Sequence, residues 1–123
     1  MNMLSKKLFI VFFVPVVLFG CTAELKRIVC VGDSITEGAD IVYQNKDAYP
    51  SILDDLLPEN YDVLNCGRSG TALQKDGDFS YWRTKEFHNL FAFRPNIVVI
   101  KLGTNDTKPQ NWNKRRFERD YQA

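Results

Sequence analysis

The feature that most constrains this chain is a recurrence. Three times, an apolar run rich in β-branched residues ends in a short loop of Gly and polar residues. The runs are residues 27–31 (RIVCV), 61–64 (YDVL) and 97–102 (IVVIKL). The loops that end them are residues 32–38 (GDSITEG), 65–71 (NCGRSGT) and 103–106 (GTND). Successive loops lie ~35 residues apart, the length of a β-α-β unit. Helix-patterned stretches fill the gaps. Residues 49–57 predict a helix with Pro50 in its first turn, where a missing N–H costs nothing, and with Ile52, Leu53, Leu56 and Leu57 on one apolar face. Residues 84–93 predict a second, carrying Phe87, Leu90 and Phe91 and broken by Arg94-Pro95-Asn96. Residues 113–121 predict a third, with Phe117 and Tyr121 one turn apart. The polar, Gly-containing stretch 74–81 reads as a loop. A β-α-β-α-β order predicts an α/β fold with a parallel sheet and right-handed crossovers.

Composition narrows the function. The 123 residues allow one domain. Charged residues at 25% and hydrophobic residues at 45% exclude a disordered or low-complexity chain. A net charge of +1 gives no basic excess for neutralising phosphates, so no nucleic-acid partner is expected. With three Cys and one His, no zinc cluster and no metal or other cofactor is expected.

The first twenty residues stand apart. Lys6 and Lys7 precede an apolar run, residues 8–19 (LFIVFFVPVVLF), which is shorter than the ~20 residues that span a bilayer. This is the pattern of a secretory signal. Leu18-Phe19-Gly20-Cys21 resembles the bacterial lipobox, with Cys21 as the lipidated residue. The expected organisation is a lipoprotein signal peptide over residues 1–20, a short linker over 21–26 and one domain over 27–123. The expected location is outside the cytoplasm, periplasmic or cell-surface, with Cys21 holding the chain to the membrane. Cys30 and Cys66 lie in apolar runs and read as small buried side chains.

Ligands of open parallel sheets bind beyond the C-terminal strand ends, where the three loops meet. Ser34 follows the first run directly, with its backbone N–H near the start of a helix. Gly70 offers a backbone N–H and Asn105 a neutral amide donor. A hydroxyl with donors placed around the developing negative charge of an acyl carbonyl is the equipment of acyl transfer. Each residue alone is equally a turn or cap residue; three on successive strand ends form a set.

Residues 31–38 (VGDSITEG) resemble the first block of the SGNH, or GDSL, hydrolases. Residues 65–71 and 103–106 resemble the second and third blocks, so the resemblance runs from about Lys26 to Trp112. It implies a three-layer, flavodoxin-like α/β fold whose first three strands lie in the order 2-1-3. It implies Ser34 as nucleophile, with an oxyanion hole formed by the N–H of Ser34, the N–H of Gly70 and the side chain of Asn105. Gly70 is preferred over Gly67 because the family's Gly lies five residues after the Asn. The string GTNDTKPQNW is similar to secreted sialate or carbohydrate O-acetylesterases, which implies an O-acetylated sugar ester as substrate.

The family's fourth block, Asp-x-x-His, is absent. The only His is His88, on the second predicted helix, where it reads as an exposed surface residue and not as the base. Without a base a Ser hydroxyl is a weak nucleophile near neutral pH, so little esterase activity is expected of this chain alone. The expected sheet is incomplete, with residues 97–102 as an apolar edge, the pattern of a C-terminally truncated domain. The competing reading is a non-catalytic carbohydrate-binding module on the same rim. A nucleotide site is disfavoured, since neither G-x-x-x-x-G-K-[ST] nor G-x-G-x-x-G occurs. Oligomeric state is not legible.

Overall fold

The computed structural model describes residues 23–123. The expected signal peptide and the lipidation site at Cys21 lie outside the described residues. Strand β1 (Lys26–Gly32) is the centre of a parallel sheet, with β2 (Tyr61–Gly67) on one side and β3 (Ile97–Lys101) on the other. The order β2-β1-β3 is the one expected. Lys26 already pairs with Tyr61, so it belongs to the sheet and not to a linker. Strand β2 runs three residues past its expected end at Leu64. Asn65, Cys66 and Gly67 sit beside Cys30, Val31 and Gly32, and this pairing along a full-length neighbour overrides their turn propensity.

Side chains alternate across the sheet. On one face Val29, Val31 and Cys66 pack with Tyr81 into a buried core, closed by Phe87, Leu90 and Phe93 of α4 (Lys85–Phe93). Thr84 caps α4 by accepting the Phe87 N–H at 3.2 Å, and Arg94 ends it in the left-handed region at φ 53°. On the other face Tyr49 of α3 (Tyr49–Leu56) lies beside Cys30, its hydroxyl 3.4 Å from Thr36 Oγ1. Helices thus lie on both faces, giving three layers. The apolar face expected of α3 is only half covered: Ile52 and Leu56 stay exposed because α3 packs chiefly on the edge strand β2. Among the described residues strand β3 pairs with β1 alone, and its apolar residues are open to solvent, from 38% for Val99 to 51% for Ile100.

The stretch 74–81 is irregular, as expected of a loop, but half of its residues are interior. Leu73, Gln74, Ser80 and Tyr81 are buried, and Ala72 bridges Ser80. The Tyr81 hydroxyl donates to the Cys66 carbonyl at 2.6 Å, and Trp82 Nε1 donates to the Leu73 carbonyl at 2.7 Å. Polarity misleads here because Asn111 and Tyr81 close over the segment: Gln74 Nε2 donates to the Asn111 carbonyl at 2.7 Å, while Gln74 Oε1 and Ser80 Oγ are buried without a hydrogen-bond partner among the described residues.

Cys30 and Cys66 are free thiols, both buried as read from sequence. Burial pushes both above the ordinary thiol range, Cys66 to about 11, so neither is a thiolate near neutral pH. Alkylation at mildly alkaline pH is therefore expected to label the Cys30 and Cys66 peptides only as fast as the chain unfolds, and both promptly in denaturant. Prompt labelling of either peptide in the native protein, read by peptide mass mapping, would contradict this packing.

Candidate active site

Strand β1 delivers its end to the rim. Buried Asp33 caps the short helix α1 (Ser34–Glu37), its Oδ1 accepting the Ile35 N–H at 3.0 Å. Ser34 is therefore the first residue of α1, half-buried, immediately beyond the sheet. Helix α1 lies directly over the end of β2. A Cβ on Gly67 would sit 2.1 Å from the Glu37 backbone nitrogen, so only glycine permits that approach. The first two loops are then tied together. Arg68 N–H donates to the Gly32 carbonyl at 2.9 Å. The Glu37 carboxylate accepts the Ser69 N–H at 2.7 Å and also the Ser69 hydroxyl.

The next residue, Gly70, adopts φ +81°, a conformation that favours glycine. Its N–H has no hydrogen-bond partner among the described residues. After Gly70, Thr71 offers its carbonyl to Asn105 Nδ2 at 3.0 Å. Asn105 opens the 3-10 turn Asn105–Thr107, and its amide keeps a second N–H that this bond does not use. Beside it, Asp106 is fully buried and accepts the N–H groups of Leu73 at 2.7 Å and Gln74 at 2.8 Å.

The three candidate residues thus stand at three adjoining strand ends on one hydrogen-bonded path. Ser34 is one turn from Glu37; Glu37 holds Ser69; Ser69 precedes Gly70; and the residue after Gly70 holds Asn105. Residues 30–123 match the model of the GDSL-like lipase/acylhydrolase family. The chain belongs to that family. An acetylxylan esterase of Xylanibacter ruminicola is 44% identical to it over 86 residues. That match covers 70% of this chain and 18% of the relative, so the chain spans less than a fifth of that protein's length. No solved structure matches the chain.

In this GDSL-family chain the supports of the rim are residues that the sequence did not single out. Asn111 Nδ2 donates to Asp78 Oδ1 at 2.7 Å and to the Asn105 carbonyl at 3.0 Å. Its Oδ1 accepts the Asp78 N–H at 2.8 Å, and its carbonyl accepts Gln74 Nε2 at 2.7 Å. Helix α5 (Lys114–Tyr121) adds buried Asp120, which accepts the Lys75 N–H at 2.9 Å and Arg119 Nε at 2.7 Å. A lone Asp between Phe117 and Tyr121, on the apolar face of a helix, was the available signal. His88 is exposed on α4 with its ring edge-on to Phe87, as expected for a surface residue. Among the described residues no group of three or more His, Cys, Asp or Glu is placed to hold a metal ion.

The Arg119 hydrogen bond, helped by the Lys75 N–H, holds the Asp120 carboxyl below the ordinary carboxylate range. A carboxylate lowered in the fold contributes stability above its unfolded pKa and loses it as pH falls through the lowered value. Asp120→Asn is therefore expected to destabilise the chain most near neutral pH. The gap to the unmutated chain should close as pH drops below the ordinary carboxylate range. A urea-unfolding gap that stays constant across that range would contradict the pairing.

Proposed function

We propose that this chain carries the nucleophile and the oxyanion-binding groups of a serine esterase acting on O-acetyl esters of a carbohydrate. The observation that carries the reading is the 3.0 Å hydrogen bond from Asn105 to Thr71, beside Gly70, at the rim where Ser34 begins α1. Ser34 Oγ attacks the acetyl carbonyl carbon. The carbonyl oxygen takes up negative charge and accepts N–H groups from Ser34, Gly70 and the free side of the Asn105 amide. Collapse breaks the bond to the sugar oxygen, which leaves protonated as a hydroxyl, and the acetyl group stays on Ser34. Water attacks the acyl-Ser34 ester, releasing acetate and restoring the hydroxyl.

Both halves need a base to take and return the proton. The only imidazole in the chain is His88, exposed on α4, so we expect slow turnover from this chain by itself. Loss of one triad member in a serine hydrolase leaves a residual ~10³–10⁴-fold over water, from the oxyanion site and binding. The name of the acetylxylan esterase relative supports acetylated xylan ahead of acetylated sialate. In the same proposal the protein is exported and anchored through lipid on Cys21, a reading that rests on the Leu18-Phe19-Gly20-Cys21 sequence.

Added imidazole supplies the missing base in solution. With an activated aryl acetate and high imidazole, the acetyl group is expected to appear on the peptide bearing Ser34 and to be absent from Ser34→Ala. Acetylation spread over lysines with none on Ser34, by tandem mass spectrometry, would reject the assignment.

A further inference from the structure

A second feature adjoins the rim on the β2 side. A cleft of about 290 Å³ is lined by Glu37, Gln44, Asn45, Ser51, Asn65 and Gly67. That is close to the lower bound of small-molecule clefts, ~300 Å³. Its polar groups are unspent. Glu37 uses Oε2 on Ser69, which leaves Oε1. Asn65 uses Oδ1 on the Gly67 N–H at 2.9 Å, which leaves both protons of Nδ2. The side chains of Gln44 and Asn45 on α2 (Gln44–Asp47) and of Ser51 on α3 have no hydrogen-bond partner among the described residues. On the other side of the rim Asn111 and Asp78 are consumed, bonding to each other and to backbone.

The chemistry of the lining selects a ligand class. No lining residue is Lys or Arg, and Glu37 is an anion, so a phosphate or carboxylate ligand is disfavoured. One carboxylate is too few to hold a cation. What remains is an array of amides and a hydroxyl that both donate and accept, which suits a neutral polyhydroxy ligand. A recess of mixed character stands beside it, lined by Val42, Tyr43, Asn45 and Lys46. Val42 is 86% exposed and Tyr43 67% exposed, and the recess shares Asn45 with the cleft. An exposed aromatic ring next to polar groups matches a pyranose, which has hydroxyl edges and a C–H face.

We infer that this cleft, with Tyr43 at its mouth, is a subsite for a neutral pyranose unit next to the one that bears the ester. Glu37, one helical turn from Ser34, joins the subsite to the reaction centre. The inference rests on the esterase reading and gives it a substrate geometry: the sugar chain crosses the end of β2 while its acetyl group reaches Ser34.

The test titrates the full ¹⁵N-labelled chain with xylotetraose and follows the amide spectrum. Saturable shifts are expected at the side-chain amides of Gln44, Asn45 and Asn65. Tyr43→Ala, a change at an exposed position, is expected to weaken binding at least fivefold while the dispersion of the spectrum is kept. Silent cleft amides up to the solubility of the sugar, or an affinity unchanged in Tyr43→Ala, would overturn the subsite. The Ser34 acetylation experiment separates the two readings. Acetylated Ser34 with a silent cleft overturns the subsite alone. A saturable cleft in a chain whose Ser34 never acetylates supports the subsite and rejects the esterase.

Discussion

Asp106 is a carboxylate with no exposure to solvent, at the turn after the third strand. A buried charge is costly unless hydrogen bonds replace the water it loses. Here the replacements are two backbone N–H groups just after the second loop, those of Leu73 and Gln74. Hydrogen bonds to an ionised acceptor are roughly twice as strong as neutral ones, and breaking them strands both the charge and the donors. The third loop is therefore fixed to the segment just after the second. That fixation places Asn105 against Thr71, and so beside Gly70.

A second carboxylate performs the matching task on the other side. Glu37 binds Ser69 from α1, and Gly67 leaves room for α1 to lie over β2. Two acids, one after the first strand and one after the third, thus hold the segment that follows the second. The central strand β1 is rigid because both its edges are paired and its interior residues are buried, so Ser34 leaves it from a fixed point. The polar side chains fall into two populations. One set, around Asn111, is spent on holding the loops; the other, around Asn65 and Gln44, faces open space. In the first set Asn105 keeps one amide N–H toward the rim; in the second nearly every polar group is free to meet a ligand.

The parts of this arrangement that follow local rules were legible in the sequence. The β-branched run at Ile97, Pro50 in a first turn and the break at Arg94-Pro95 each encode one element boundary without help from the rest. Asn113 caps α5 where the pattern placed its start. The three Gly-polar loops gave the candidate residues because each follows a strand. What stayed hidden depends on partners far along the chain. Asn65 to Gly67 look like a turn until β1 is laid beside them. Gln74 and Ser80 look like surface until Asn111 and Tyr81 close over that segment. Glu37 and Asp106 belong to the recognised blocks, yet their role as clamps appears only when the loops are folded together.

Backbone hydrogen exchange tests the clamp most directly. In the native chain the Ser69, Leu73 and Gln74 amides should be protected, while the unpartnered Gly70 amide exchanges quickly. Asp106→Ala should release Leu73 and Gln74 before the strands lose protection, and Glu37→Ala should release Ser69. Fast exchange of Leu73 and Gln74 in the unmutated chain, or protection there that survives loss of the Asp106 carboxylate, would contradict the account.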